Sequence, residues 1–155
     1  MTNHPSLRLL LICCGLLIAG PAAATSVFEP LAFVNWRTDP ATGAVGVGAA
    51  IGVSSFDVVP AYEHVFADNA TDWAMDVDVH VPLMALPVVA FYAGAGIAYY
   101  KHAPDSGDSS SESGVDLLIG AKATVRRLKP FAEIRYVTAG PDGVTIMIGS
   151  RFNWR

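Results

Sequence analysis

The chain has 155 residues, of which 52% are hydrophobic and only 15% are charged, and its formal net charge is −4. In a soluble domain about a quarter of the residues are usually charged, so this composition favours a protein that places apolar surface in a membrane. The negative charge and the lack of a basic stripe argue against a nucleic-acid partner. After the N-terminus, no segment reaches the ~20 consecutive apolar residues that a membrane helix requires.

Residues 1–24 have the features of a secretory signal peptide. Arg8 precedes an apolar run from Leu9 to Ile18, and Ala22–Ala24 supply a small-residue cleavage pattern. The run is too short to span a bilayer, which disfavours a membrane anchor. We therefore expect cleavage after Ala24 and a single mature domain over residues 25–155, which is about the size of one domain.

The only two cysteines, Cys13 and Cys14, raise the alternative of a lipoprotein leader. Ile12 disfavours it, because it stands where a lipoprotein signal needs a small residue. If the leader is removed, both cysteines leave with it. The mature chain is then predicted to have no disulfide, no cysteine metal site and no cofactor.

The mature chain consists of short segments with alternating polarity. Trp73, Met75, Val77, Val79 and Val81 share one side of a segment whose other side is polar, and a period of two indicates a β-strand. Eight strands are predicted: Val27–Trp36, Ala44–Val53, Phe56–Phe66, Asp72–Val81, Val88–Tyr100, Gly114–Val125, Pro130–Thr138 and Gly143–Trp154.

The connections predicted between these strands are longer and more polar after odd strands than after even ones. Lys101–Ser113 is the longest predicted loop, whereas Pro82–Pro87 and Arg126–Lys129 are predicted turns. Transmembrane barrels have short periplasmic turns and longer external loops, so we expect both termini in the periplasm. Pro60 predicts a bulge in the third strand.

The glycines at positions 46, 48, 52, 94 and 96 weaken strand propensity. In a narrow barrel they are expected to make room for large neighbouring side chains that fill the interior.

Alternation alone does not separate a membrane barrel from a soluble one such as a lipocalin, in which the apolar side chains line the cavity. The sixth strand has Val115, Leu117 and Ile119 on a face without charges, and the seventh continues this face with Ile134. The opposite faces carry too few charges to solvate a surface, but enough to pair within an interior. This pattern favours the membrane barrel.

Aromatic residues are predicted at both interfaces of the bilayer. The outer set is Trp36, Phe66, Trp73 and Tyr99, and the inner set is Phe28, Phe152 and Trp154. A general preference of aromatic residues for strands explains part of this distribution.

The closing segment PFAEIRYVTAGPDGVTIMIGSRFNW and the strand WAMDVDVHV resemble the small outer-membrane β-barrels of the OmpA/OmpX type. The resemblance implies an eight-stranded antiparallel up-and-down transmembrane barrel in the outer membrane, surrounded by its lipid and inserted by the barrel-assembly machinery. Members usually end on an aromatic residue that this machinery reads. Here Trp154 is followed by Arg155, so the signal is shifted by one residue.

Seven charged residues are predicted to point into the barrel as one cluster. They are Glu63, Asp76, Asp78, Lys122, Glu133, Arg135 and Arg151. Folding the hairpins predicts that Lys122 lies opposite Glu133. It likewise places Glu63 opposite Asp76, and Asp78 near Tyr92. Since buried charges must be paired, a structural role is favoured over a proton- or ion-linked gate.

The leading functional prediction is a non-enzymatic barrel with a structural or surface-interaction role through its external loops, whose ligand the sequence leaves open. The alternative is a narrow ion or small-ligand conduit. A lipid-modifying enzyme is third. His80 and His102 are candidate histidines, but the stretch Tyr136–Ala139 holds no His or Ser, His64 has no serine at a suitable position, and no nucleotide-binding or hydrolase motif occurs. No metal site is predicted, because the acidic residues of the Lys101–Ser113 loop lack calcium-loop spacing.

Overall fold

The computed structural model describes residues 28–38, 41–124, 127–140 and 143–153. Its strands are β1 (Phe28–Thr38), β2 (Ala41–Val53), β3 (Phe56–Ala67), β4 (Ala70–Ala85), β5 (Val89–Pro104), β6 (Ser110–Ala123), β7 (Leu128–Val137) and β8 (Gly143–Phe152). Every strand pairs antiparallel with its neighbours in sequence, and β8 pairs with β1 to close the barrel. The predicted leader, its cleavage point and Trp154 lie outside the described residues. Among the described residues there is no helix long and apolar enough to cross a membrane.

Alternation along the strands separates an inner from an outer face, as β4 illustrates. Asp76, Asp78 and His80 are buried inside the barrel, whereas Met75 and Val77 are exposed on its outside. Successive side chains of a strand point to opposite faces, so one polar and one apolar set along the strand produce this division. The predicted faces of β4 are confirmed.

The outer wall of the barrel is apolar all the way round. It includes Val34 on β1, Val47 on β2, Leu117 on β6 and Ile148 on β8, each more than half exposed. A soluble protein rarely exposes contiguous apolar patches larger than a few hundred Å². The lipocalin-like alternative needs the opposite arrangement, so the fold is that of a transmembrane barrel.

The interior is filled by side chains in layers. We call the end of the barrel that holds Phe28 and Phe152 the termini end, and the opposite end the loop end. An apolar cluster towards the termini end contains Leu31, Phe33, Ala50, Val59, Phe131 and Met147. A second one towards the loop end contains Ala44, Val65, Ala98, Tyr100, Val137 and Ala139. The charged side chains lie between and beside these clusters.

Glycine makes this filling possible, as predicted. A Cβ at Gly46 would overlap the ring of Phe33, which is buried in the apolar cluster of the termini end. A Cβ at Gly120 would come within 2.7 Å of the Tyr92 hydroxyl. Small positions on one strand therefore accommodate large side chains of the neighbouring strands.

The predicted length difference between the two sets of connections is wrong. The predicted Lys101–Ser113 loop shrinks to residues 105–109, because β5 continues to Pro104 and His102 pairs with Ser110. The connections at the loop end span residues 39–40, 68–69, 105–109 and 138–142, and those at the termini end span 54–55, 86–88 and 124–127. Polar side chains do not prevent backbone pairing, so a polar hairpin was mistaken for a loop.

The predicted bulge at Pro60 is also wrong. Pro60 pairs with Val77 in an uninterrupted register with β4. On the β2 side the ladder lacks pairs at Val59 and Pro60, since proline has no N–H group to donate, but the register is the same on both sides of this gap. The register shift lies instead between Pro82 and Met84, where β4 runs through the predicted turn to Ala85.

Candidate functional site

The charged interior is organised around one guanidinium group. Arg135 on β7 is 5% exposed and contacts four carboxylates. Its Nη1 donates to Asp76 Oδ2 at 2.7 Å and to Asp116 Oδ2 at 3.4 Å. Its Nη2 donates to Asp78 Oδ2 and, at 3.2 Å, to Glu133 Oε2. Three strands are thus tied together across the interior by charge-assisted hydrogen bonds.

Strand register explains how these acids come together. Asp76 and Asp78 are two residues apart on β4 and therefore share its inner face. Asp78 pairs with Gly96 on β5, and Gly96 pairs with Asp116 on β6. The two aspartates thus flank a residue that has no side chain, which lets their carboxylates approach each other.

A second network lies towards the termini end. Asp57 Oδ2 accepts hydrogen bonds from Lys122 Nζ at 3.0 Å and from Arg151 Nη1 at 2.9 Å. Arg151 is fully buried, and its Nη2 lies 3.0 Å from His80 Nδ1. The lysine and the arginine both neutralise an aspartate that is only partly exposed.

Tyr92 connects the two networks. Its hydroxyl donates to Glu133 Oε1 at 2.7 Å, and its ring stacks on the His80 ring at a centroid distance of 4.9 Å. Arg151 lies over the same aromatic ring, with Cζ 5.4 Å from its centroid. The polar contacts therefore continue from the termini end to the centre of the barrel.

The structure places all seven predicted interior charges on inner faces, but it corrects their pairing. Lys122 lies opposite Phe131 rather than Glu133, and it binds Asp57. The reason is that the turn between β6 and β7 is displaced towards the N-terminus, which shifts the register by two residues.

Neither of the other two predicted pairings is observed. Glu63 lies opposite Ala74 rather than Asp76, because the β3–β4 turn is also displaced towards the N-terminus, and its Oε2 accepts a hydrogen bond from Asn35 Nδ2 at 2.7 Å. Asp78 lies opposite Gly96 rather than Tyr92, because the β4–β5 turn is displaced towards the C-terminus, where β4 continues to Ala85 and β5 begins at Val89.

Sequence reasoning missed several interior groups as parts of this site. Asp116, Asp57, Asn35 and Thr145 all contribute polar atoms to the interior. Each lies an even number of residues from the other side chains on the predicted inner face of its strand, and this spacing is the signal that could have identified it. A third polar group near the loop end joins Asp72 to the Tyr100 hydroxyl and, at 2.7 Å, to His102 Nδ1.

The described cavities are small, and they lie at different depths. A central one of about 20 Å³ is lined by Glu63, Asp76, Asp116, Arg135 and Thr145 among others. One of about 360 Å³ at the loop end is lined by Arg37, Asp72, Tyr100 and His102. One of about 210 Å³ at the termini end is lined by Asp57, His80, Tyr92 and Lys122. The central volume holds roughly one water molecule.

The described aromatic residues of the wall lie near the two ends. Trp36 and Phe66 are more than half exposed near the loop end, and Trp73 packs against Tyr99 with ring centroids 5.5 Å apart. Phe28 and Phe152 are exposed at the termini end. This distribution is typical of residues that lie at membrane interfaces.

Solved structures with this architecture are transmembrane barrels. The crystal structure of Neisserial surface protein A (NspA) matches with a TM-score of 0.67 and 15% identity, over 82% of this chain and 97% of that one. A de novo designed transmembrane β-barrel matches with a TM-score of 0.62 and 19% identity, over 81% and 93%.

The attachment invasion locus protein Ail of Yersinia pestis matches with a TM-score of 0.57 and 12% identity, over 83% of this chain and 97% of that one. No protein-family model matches the chain, and no curated protein sequence matches it. At these identities the likeness shows the fold, which is that of the small eight-stranded outer-membrane barrels.

Proposed function

We propose that the protein is a non-enzymatic barrel of the outer membrane with a structural or surface-interaction role. The observation that carries this proposal is the closed interior, in which Arg135 contacts four carboxylates contributed by β4, β6 and β7. Eight strands enclose a space that side chains can fill. The central cavity of about 20 Å³, which is about the size of one water molecule, favours a filled interior over a conduit.

The apolar wall and the exported character of the sequence support the outer membrane as its location. We further propose that both termini lie in the periplasm, so that the loop end, which has the 105–109 connection, faces the outside of the cell. Its connections are short, so the surface offered to a partner is the rim of the barrel, chiefly the β5–β6 hairpin. Asp105, Asp108 and Glu112 are exposed there, and Lys101 lies at its base.

The charge of this rim indicates the chemistry of a partner. Ail has been solved in complex with the heparin analogue sucrose octasulfate, which is a polyanion. The β5–β6 hairpin of this chain is acidic and repels such a ligand. We therefore propose a cationic or uncharged polar partner at the rim.

The lipid-modifying alternative is disfavoured by the contacts of the histidines. His80 contacts Arg151, His102 contacts Asp72, and His64 packs edge-on against Phe66. An acyl hydrolase of this kind requires a serine hydroxyl that its histidine can activate. His102 pairs with Ser110 across β5 and β6, but the hydrogen bonds of the described residues do not include one between that imidazole and that hydroxyl.

Three measurements on the expressed protein test the proposal. Fractionation should place a heat-modifiable band, beginning at Thr25, in the outer membrane. The folded barrel should give no conductance steps in planar bilayers, and its expression should leave the mass of lipid A unchanged. Conductance steps would establish the conduit instead, an altered lipid A mass would establish the enzyme, and a soluble periplasmic product would exclude the membrane location.

A further inference from the structure

The middle of the barrel holds more negative than positive charge. Five carboxylates, those of Glu63, Asp76, Asp78, Asp116 and Glu133, are at most 6% exposed. Among the described residues, Arg135 is the cation that contacts four of them. Uncompensated charges are not tolerated in a medium of low dielectric constant, so this layer requires further neutralisation.

The deficit falls on the three aspartates. Glu133 receives the Tyr92 hydroxyl and Glu63 receives the Asn35 amide, each at 2.7 Å. By contrast, no N–H or O–H group of another described residue donates to the buried Oδ1 atoms of Asp76, Asp78 and Asp116, although the carboxyl groups of Asp78 and Asp116 are close enough to share a proton. One carboxylate oxygen from each aspartate lies within 4.8 Å of those from the other two. Three acidic side chains thus share one small volume, in which Arg135 binds the Oδ2 atom of each.

Thr145 on β8 provides an independent indication of a ligand. This residue is 2% exposed, and its hydroxyl oxygen has no hydrogen-bond partner. Its side chain lines the same central cavity as Asp76 and Asp116. The cavity of about 20 Å³ has space for one water-sized particle. Arg37 and Arg135 also line it, and Asp78 belongs to the aspartate cluster beside it rather than to its lining.

We propose that this centre binds one divalent hard cation, best matched by Ca²⁺, through Asp76, Asp78, Asp116 and Thr145. Charge supports a divalent ion, since the cation and Arg135 together carry three positive charges against the three aspartates, while the carboxylates of Glu63 and Glu133 accept hydrogen bonds from the neutral Asn35 amide and Tyr92 hydroxyl. Oxygen ligands at 2.3–2.6 Å from one Ca²⁺ can lie up to about 5 Å apart, which suits the spacing of these carboxylates. Ca²⁺ also accepts irregular coordination, whereas Mg²⁺ demands a near-ideal octahedron.

Calcium chloride titrated into the chelator-treated, folded barrel in zwitterionic detergent tests the site. We expect one binding event per barrel by calorimetry. The urea midpoint of the folded, gel-shifted band should be higher in calcium than in chelator at equal ionic strength, because a ligand that binds only the folded state stabilises it.

Three variants locate the site. Asp116→Asn should weaken calcium affinity on the order of tenfold or more, because the affinity of oxygen sites follows their charged ligands. Thr145→Val should weaken calcium affinity without any change of charge. This variant still tests the site if Asp116→Asn does not fold. The matched control is Asp108→Asn, which alters an exposed carboxylate of the 105–109 connection and should bind calcium as the wild type does.

The absence of a heat signal, together with a calcium-independent urea midpoint, would overturn the proposal. So would a calcium response that disappears in Asp108→Asn but persists in Asp116→Asn and Thr145→Val. A barrel stabilised by acid and indifferent to calcium would show that protons neutralise the aspartates. These outcomes are independent of conductance and of any partner at the rim.

Discussion

Asp78 and Gly96 lie opposite each other on β4 and β5, and the space above Gly96 is occupied by the Asp78 carboxylate. A Cβ at residue 96 would overlap Asp78 Oδ1 and would lie 2.5 Å from the Val77 carbonyl oxygen and 2.7 Å from Asp116 Oδ1. The backbone carbonyl cannot rotate away as a side chain could. The convergence of the two aspartates therefore depends on glycine at this position.

Gly96→Ala should consequently destabilise the barrel, by about 1–3 kcal/mol or more, as overpacking of a filled interior does. Gly43→Ala is the matched control, since its Cβ would meet its nearest neighbour at 3.7 Å, an ordinary contact distance. The measurement is the urea midpoint of the heat-modifiable band in detergent. Equal midpoints for the two variants would show that the interior adapts to a methyl group at residue 96.

Arg135→Met should be far more damaging than Lys122→Met. Removing Arg135 leaves four buried carboxylates without their common cation, and breaking a buried pair in this way costs about 3–5 kcal/mol. After loss of Lys122, Asp57 keeps its 2.9 Å hydrogen bond from Arg151 and is still 25% exposed. The cost should then be about 1 kcal/mol or less, as for exposed pairs.

Refolding yield and urea midpoints of the two methionine variants, measured side by side, check this ranking. Similar losses would mean that Lys122 and Arg135 contribute equally. A folded Arg135→Met barrel of wild-type stability would mean that the acids are already neutralised by another group.

The sequence predicted which residues point inward better than it predicted which residues meet. A strand has a period of two, so a register error of an even number of residues keeps every side chain on its face. Lys122 was predicted opposite Glu133 and lies opposite Phe131, which is an error of two. Its inward direction was therefore right although its partner was wrong.

Local sequence patterns could not predict the contact partners of these side chains, because the partners come from strands that are distant in sequence. The hydrogen bond from Lys122 to Asp57 joins residues 65 positions apart, and that from Arg151 to Asp57 joins residues 94 apart. Such contacts depend on barrel closure and strand stagger, which no single hairpin specifies. The polar β5–β6 hairpin was missed for a different reason, since backbone pairing there is independent of side-chain polarity.

Val79→Arg should impair assembly, because Val79 shares the lipid-facing side of β4 with Val77. A cation at the middle of the lipid face costs about 2–4 kcal/mol. Val88→Arg is the matched control, since residue 88 belongs to the exposed 86–88 connection at the termini end. Near an interface the same change costs about 0–1 kcal/mol. Refolding into lipid vesicles, followed by the gel shift, measures both, and a reversed order would place the 86–88 connection inside the bilayer.

Single cysteines at the two ends of the barrel should report its orientation. The two native cysteines belong to the predicted leader, so the wild-type protein serves as the unlabelled baseline. Asp108→Cys introduces a thiol in the exposed 105–109 connection at the loop end, and Ser55→Cys introduces one in the exposed 54–55 turn at the termini end. Both changes lie outside the strands and should leave the stability within about 0.5 kcal/mol of the wild type.

A membrane-impermeant maleimide added to intact cells should label Asp108→Cys at once and Ser55→Cys only after the outer membrane is permeabilised. Because an antiparallel barrel with eight strands has both termini on one side, labelling of Ser55→Cys alone in intact cells would place the termini outside and reverse the proposed orientation.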